Sequence, residues 1–355
     1  MKKILAIILT VALTVCCLTA CSGEKKDDGK LHIVTTIFPE YDWVMNVLGE
    51  NPAGADVVML LDNGVDLHSY QPTVDDVLKV ASCDLFIYVG GESDGWVKDA
   101  LAQATNKNMI VINLLEVLGD KVKEEEIVEG MEHEHDHDHD HDDDDHDHED
   151  GDDHDHEDGD HDEHEHEHDH DHEDGEVEYD EHVWLSLRNA EVLVKEISAA
   201  VEKLDSENAA TYKKNTEAYV GKLRALDERY KEAVAGATNK TLLFGDRFPF
   251  RYMTDDYGLK YYAAFVGCSA ETEASFETIK FLTTKVDELG LSAVMTIEGA
   301  NHKIAETIVA NTQAKNQKIL QLNSLQSTTS EDVKKGATYL SIMESNLAVL
   351  ADALK

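Results

Sequence analysis

The chain has 355 residues, 42% of them hydrophobic, and a formal charge of −43. Of its 74 acids, 28 fall between Met131 and Glu178, where there is no Lys or Arg, and the remainder of the chain carries −15. No basic patch is available to neutralise phosphates, which excludes nucleic acid as an expected partner.

The N-terminus predicts export. Lys2 and Lys3 precede an apolar stretch, Ile4 to Val15, too short to span a membrane. Leu18-Thr19-Ala20-Cys21 resembles a bacterial lipobox, where cleavage ahead of the cysteine is followed by its lipidation. The alternative is a plain secretory signal with a chance cysteine. The expected order is a lipoprotein signal peptide over 1–20 and a polar tether over 21–30. Lipidation at Cys21 then anchors the protein to the cell membrane, on its extracytoplasmic side, without a spanning helix. Cys16 and Cys17 leave with the leader. Cys83 and Cys268 remain, far apart in the chain, and read as buried thiols rather than a bridge. Without leader and acidic tract roughly 285 residues are left, enough for two domains.

Leu31 to Ile37 is β-branched and apolar and predicts a strand. Pro39 opens a helical pattern with Trp43, Val44 and Val47, stopped by Gly49. Ala55 to Leu61 is a second strand, followed by a loop from Asp62 to Pro72. Thr73 caps a helix through Val77, Leu78 and Val80. Cys83 to Val89 and Met109 to Leu114 are further strands, with a short helix from Trp96 to Ala104 between them. Asn189 to Leu204 is helical, and Ser206 caps a longer pattern of about 29 residues, or about 43 Å at helical rise. Strands then recur at Thr241–Phe244, Tyr261–Phe265, Ala293–Ile297 and Ile319–Leu322. Helices fall at Phe248–Asp256, Phe276–Leu289, Lys303–Thr312 and Thr338–Leu354. The alternation predicts an α/β fold of two lobes, each a roughly four-stranded parallel sheet flanked by helices. The expected division is an N-terminal lobe over 31–204, a rigid linking helix over 205–236 and a C-terminal lobe over 237–355.

The N-terminal lobe is interrupted by an insert over 131–178. Its run from His133 to His172 holds 15 of the 19 histidines and no apolar side chain. Such a segment buries too little surface to offset its ordering entropy and is expected to be disordered. Alternating imidazole and carboxylate nevertheless makes a dense ligand set for zinc and similar metals. His182, just beyond the run, is a different kind of histidine, placed on folded structure. His68 lies in the loop after the second strand, and ligands of open parallel sheets bind beyond the carboxyl ends of strands.

The flanks of these two residues are Gly-Val-Asp-Leu-His-Ser-Tyr and Asp-Glu-His-Val-Trp-Leu. With Thr35-Thr36-Ile37-Phe38-Pro39, Trp43, Asp84-Leu85-Phe86, the His-rich insert and Tyr257-Gly258-Leu259, they carry a resemblance over residues 30–355. The chain resembles the zinc/manganese (cluster A-I) class of ABC-transporter solute-binding lipoproteins, in its zinc-uptake subgroup with a His-rich loop. The resemblance implies one metal in the cleft between two lobes, with His68 and His182 as the N-lobe ligands. Two neutral imidazoles suit Zn2+, with Mn2+ or another first-row divalent ion as alternatives. Asp66 and Asp180 are close enough in sequence to hold the rings by their other N–H.

The C-lobe departs from the family pattern. The position of the first C-lobe ligand is Arg247, whose guanidinium has no lone pair to give, and the second falls at about Gln326. Asp246 and Glu298 are the replacement candidates, with Glu298 equally suited to pair with Arg247. His302 is a weaker candidate, and water or histidines of the tract are another way to complete the shell. His32 reads as a solvated residue at a strand edge. The expected function is extracytoplasmic capture of a divalent metal and delivery to the membrane permease of an ABC transporter, by a monomer without enzymatic activity. The rod helix implies modest cleft closure. Two rival readings are a surface metal buffer or adhesin without a tight cleft site, and a zinc hydrolase, for which no placed general base is visible.

Overall fold

The structure, a computed structural model, describes residues 29–131, 178–269, 273–299 and 301–355. The leader, Cys21 and the run from His133 to His172 lie outside the described residues.

Two four-stranded sheets form the framework. The first contains β1 (His32–Thr35), β2 (Asp56–Met59), β3 (Leu85–Tyr88) and β4 (Ile110–Asn113), in the order β2-β1-β3-β4. The second contains β5 (Thr241–Phe248), β6 (Lys260–Val266), β7 (Ala293–Thr296) and β8 (Lys318–Gln321), in the order β6-β5-β7-β8. The two orders are the same topology used twice, and every strand pairing in both sheets is parallel. Ile33, set opposite both Val57 and Leu85, is fully buried. Strands covered on both faces have no reason to alternate polar and apolar residues, and these do not. In each sheet the order reverses beside the first strand, so a crevice opens at its carboxyl end.

The helices cover these sheets. In the first half they are α1 (Phe38–Leu48), α2 (Val74–Ser82), α3 (Val97–Ala102), α4 (Leu114–Leu118) and α5 (Leu187–Leu204). Glu40 starts α1 by reaching back to the backbone N–H of Thr36 at 2.8 Å, with a proline in the first turn. The long helix α6 (Ala209–Ala235) follows, and then α7 (Arg251–Tyr257), α8 (Phe276–Leu289), α9 (Lys303–Asn311), α10 (Ser330–Lys334) and α11 (Tyr339–Ala353). Two expectations need correction here. Ser206 does not cap the long helix, which begins after Asn208. The helix expected from Phe248 begins only at Arg251, because β5 continues through Phe248. That strand keeps pairing with β6 after a register shift between Phe244 and Arg247, so long-range pairing overrides the local helical pattern. At the shift, Gly245 lets α9 approach: a Cβ there would come within 2.6 Å of the Ala305 Cα.

The two lobes share a core. One apolar cluster runs from Ile33 and Phe86 in the first sheet, through Trp43, Trp184 and Tyr230, to Phe244, Met295 and Tyr339 in the second half. A smaller cluster, with Leu243, Leu282, Val294 and Ile308, fills only the far face of the second sheet under α8 and α9. Tyr212, Tyr219, Leu223, Leu226 and Tyr230 of α6 are all buried, spaced so that one face of the helix packs inward. Its Tyr230 hydroxyl donates to the Met343 carbonyl at 2.6 Å, and its Tyr219 hydroxyl to Asp42 at 3.2 Å. Trp184 ties the halves most directly. Its indole N–H donates to the Ser324 carbonyl at 2.8 Å, while its own carbonyl accepts from the Tyr339 hydroxyl at 2.6 Å.

Trp184 therefore tests the junction. Trp184→Ala is expected to cost ~3–5 kcal/mol of unfolding free energy, as other large buried truncations do. Trp184→Phe, which leaves the Ser324 carbonyl without its donor, is expected to cost ~1–3 kcal/mol. Urea unfolding of the metal-free protein measures both.

Candidate metal centre

The same local device presents both histidines. Asp66 opens a short 3-10 turn, Leu67–Ser69, and its Oδ1 accepts the backbone N–H of His68 at 3.0 Å. Asp180 Oδ1 likewise accepts the backbone N–H of His182 at 2.8 Å, just ahead of the buried 3-10 turn Val183–Leu185. An Asp two residues before each His thus closes a small side-chain-to-backbone turn, which fixes the direction of the following ring. Leu67, Val183, Trp184 and Leu185 anchor these turns in the core. The turns come from positions 114 residues apart, and their rings meet: His68 Nε2 and His182 Nε2 are 3.1 Å apart.

Each ring is held from behind. Asp180 Oδ1 lies 3.0 Å from His182 Nδ1. For His68 the expectation was Asp66, and that is corrected: Ser93 Oγ holds Nδ1, at 2.8 Å. Asp66 is already engaged by the His68 backbone and, through Oδ2, by Arg247 Nη2 at 2.7 Å. Ser93 comes from the loop after β3, and its backbone N–H donates to Glu181 Oε1 at 2.9 Å. Gly91, at φ +81°, makes room for this carboxylate, since a Cβ there would fall 2.3 Å from Glu181 Oε1. With both Nδ1 atoms donating backwards, both Nε2 atoms can turn a lone pair towards the space between them.

The electrostatics separate the two rings. Burial and the neighbouring His182 push the His68 imidazole down to about 3. Burial also opposes charge on His182, but the Asp180 carboxylate outweighs it and raises that ring above its ordinary value. A proton arriving at the pair goes to His182, and His68 stays neutral.

The second lobe brings Cys268 to this place. Its Sγ and ligand atoms of His68 and His182 all lie within 4.8 Å of one another, the only such His/Cys/Asp/Glu group among the described residues. The thiol is free. Burial, with Asp180, Glu125 and Glu181 nearby, holds its pKa well above the usual thiol range. A cavity of 270 Å³ opens between His68, Ser93, Glu125, Glu181 and Cys268. Cys268 escaped the sequence reading because a single cysteine carries no spacing pattern. The available signal was its place, two residues past the carboxyl end of β6.

The other candidates are engaged elsewhere. Asp246 accepts from the backbone N–H groups of Arg247 at 2.9 Å and Ile297 at 3.2 Å. Glu298 takes the Ser324 N–H and hydroxyl, both at 2.6 Å. It does not pair with Arg247, which binds Asp66 and the Ser269 carbonyl instead, the latter at 3.1 Å. His302 begins α9, and Gln326 is buried. Neither Asp246, Glu298 nor His302 joins the group formed by the two histidines and Cys268.

The Arg247–Asp66 pair closes the second lobe onto the first. Burial would raise the Asp66 carboxyl, but the Arg247 guanidinium holds it below its ordinary value. A depressed carboxyl pKa contributes stability above the unfolded value and loses it as pH falls through the folded one. Arg247→Met is expected to cost ~1 kcal/mol at neutral pH, given the partial exposure of both groups. The difference should vanish in strong acid, which urea unfolding across a pH series would show.

The family of the zinc-uptake complex component A, periplasmic (ZnuA), matches residues 33–353. The zinc-binding lipoprotein AdcA of Streptococcus pneumoniae serotype 4 is 32% identical over 350 residues, covering 99% of this chain and 60% of that protein. The chain thus spans about three-fifths of the AdcA length. The high-affinity zinc uptake system protein ZnuA of Bacillus subtilis is 30% identical over 333 residues, covering 94% of this chain and 90% of that one. The crystal structure of the Zn(II)-bound ZnuA-like domain of S. pneumoniae AdcA superimposes with a TM-score of 0.64 at 28% identity, over 92% of this chain and 99% of that one. A family match over almost the whole folded chain, on two sheets of the same two-lobed arrangement, settles the assignment: the chain belongs to the ZnuA family of zinc-uptake solute-binding proteins.

Proposed function

We propose that this chain is the extracytoplasmic solute-binding component of a metal ABC importer. It captures a divalent ion, Zn2+ foremost, between His68 and His182 and hands it to a membrane permease. The observation that carries this is the 3.1 Å between the two Nε2 atoms. Two imidazoles on one tetrahedral zinc, at bond lengths of 2.0–2.1 Å, stand about 3.3 Å apart. The centre therefore needs little adjustment to exchange a shared proton for a cation. The zinc in the names of the relatives supports the choice of metal.

Cys21 is the lipid attachment point in this reading, which keeps the captured ion beside the permease. The His/Asp/Glu run raises the local metal concentration and acts as a weak reservoir. The protein works as a monomer and performs no covalent chemistry on its cargo. The common core of the lobes favours small closing movements over a wide hinge.

His68→Ala and His182→Ala are each expected to lower zinc affinity by more than ~100-fold, since outer partners alone account for up to that much. Asp180→Asn and Ser93→Ala, which loosen the rings without removing a ligand, should cost about 10–100-fold. Competition against a chelator of known affinity measures all four. Deleting His133–His172 while keeping Met131, whose side chain is buried in the core, should leave one tight site and remove only weak ones. Uptake at scarce metal should fall. Tight binding that survived loss of both His68 and His182 would overturn the proposal.

A further inference from the structure

The geometry points to Cys268 as a metal ligand: the second lobe completes the centre with a thiolate, and the buried Glu181 carboxylate stands on the wall of the same cavity. This rests on the reading of His68 and His182 given above and extends it to the identity of the remaining donors. The site becomes two imidazoles and one sulfur, a set that favours zinc and softer ions such as cadmium over manganese.

Four observations carry the inference. First, the C-lobe positions where a ligand was sought hold Arg247 and Gln326, and Arg247 is committed to Asp66 and the Ser269 carbonyl. Second, Cys268 stands past the end of β6, with Sγ no more than 4.8 Å from the ligand atoms of both histidines. Sulfur and nitrogen on one tetrahedral zinc are about 3.5 Å apart, given bonds of 2.3 and 2.0–2.1 Å. A shift of about an ångström, within reach of side-chain and loop adjustment, brings the thiol to bonding distance. Third, the chain can pass this close only because residue 267 is glycine. A Cβ there would lie 3.0 Å from His182 Cε1 and 2.9 Å from the Phe248 carbonyl oxygen. Fourth, Glu181 is 2% exposed, yet its Oε2 has no hydrogen-bond partner. That oxygen stands 3.5 Å from His68 Nδ1, and the residue lines the same cavity as Cys268. A buried carboxylate oxygen left unpaired is costly, and a cation beside it removes the cost.

Charge balance agrees. Two neutral imidazoles and one thiolate bring one negative charge to a divalent ion, and the Glu181 carboxylate on the cavity wall supplies a second nearby. On binding, the Cys268 S–H bond breaks, the sulfur keeps the electron pair and forms the metal–sulfur bond, and the proton leaves to solvent.

The test is a titration of the full chain with one equivalent of Co2+, in wild type, Cys268→Ser and His182→Ala. Zinc X-ray absorption of the wild type accompanies it. The expected result is a thiolate-to-cobalt charge-transfer band that Cys268→Ser abolishes, and a zinc–sulfur shell at about 2.3 Å. Zinc affinity in Cys268→Ser should fall by more than about tenfold, with manganese affected less. Tight binding that His182→Ala destroys, but with no charge-transfer band and no sulfur shell in the wild type, overturns the thiolate and leaves the histidine site standing. Binding that is weak throughout, or indifferent to His182→Ala, overturns both.

Discussion

Two imidazole nitrogens from opposite ends of the first lobe stand 3.1 Å apart, and the rest of the structure is arranged around that contact. Left alone, two buried histidines facing each other are a poor use of a protein interior. One ring must give its proton to the other, and a charge on both is forbidden by their proximity and by burial. The chain resolves this with an asymmetric backing. Asp180 stands behind His182 at 3.0 Å and favours its charged form, whereas behind His68 the nearest partner is the Ser93 hydroxyl at 2.8 Å, with the Glu181 carboxylate further off at 3.5 Å. The pair shares one proton or one cation. The surrounding Asp180, Glu181 and Glu125 favour positive charge there, a proton or, in the proposed function, a divalent cation.

The lobes cannot be treated as independent bodies on a flexible link. Trp184 lies two residues past His182, donates into the loop after β8 and accepts from the first residue of α11. Tyr252 donates to the Asp180 carbonyl at 2.8 Å, so α7 of the second half supports the backbone of that same turn. Any large rotation of the second lobe would therefore tear hydrogen bonds from the carbonyls flanking His182. For the proposed function, movement at the rim serves loading and release better, where Arg247 meets Asp66 and Ser330 meets Asp62 at 2.7 Å. These rim contacts are polar and partly exposed, hence cheap to break and remake.

Much of this was legible in the residues. Apolar β-branched runs broken by helical spacing gave the two parallel sheets, because strands covered on both faces have no alternation to hide. The repeated Asp-x-His placed His68 and His182 on tight turns, and their flanks marked them as belonging together. What misled was local preference. The pattern from Phe248 reads as helix, yet pairing with β6 holds it extended. Asp66 is as near to its histidine in sequence as Asp180 is to His182, yet its free oxygen meets a guanidinium from residue 247.

The sequence by itself determined the fold class, the two-lobed division and the pair of imidazoles, since periodicity and short-range turns are encoded by adjacent residues. Only the tertiary structure decided which second-lobe group faces them. Asp246 and Glu298 look like ligands on paper, but backbone N–H groups, joined at Glu298 by the Ser324 hydroxyl, engage both oxygens of each. Cys268 looks like packing, but a glycine beside it lets β6 deliver its sulfur to the histidines. A side chain's partner is set by which strands lie next to each other, and that depends on contacts tens of residues apart in the chain.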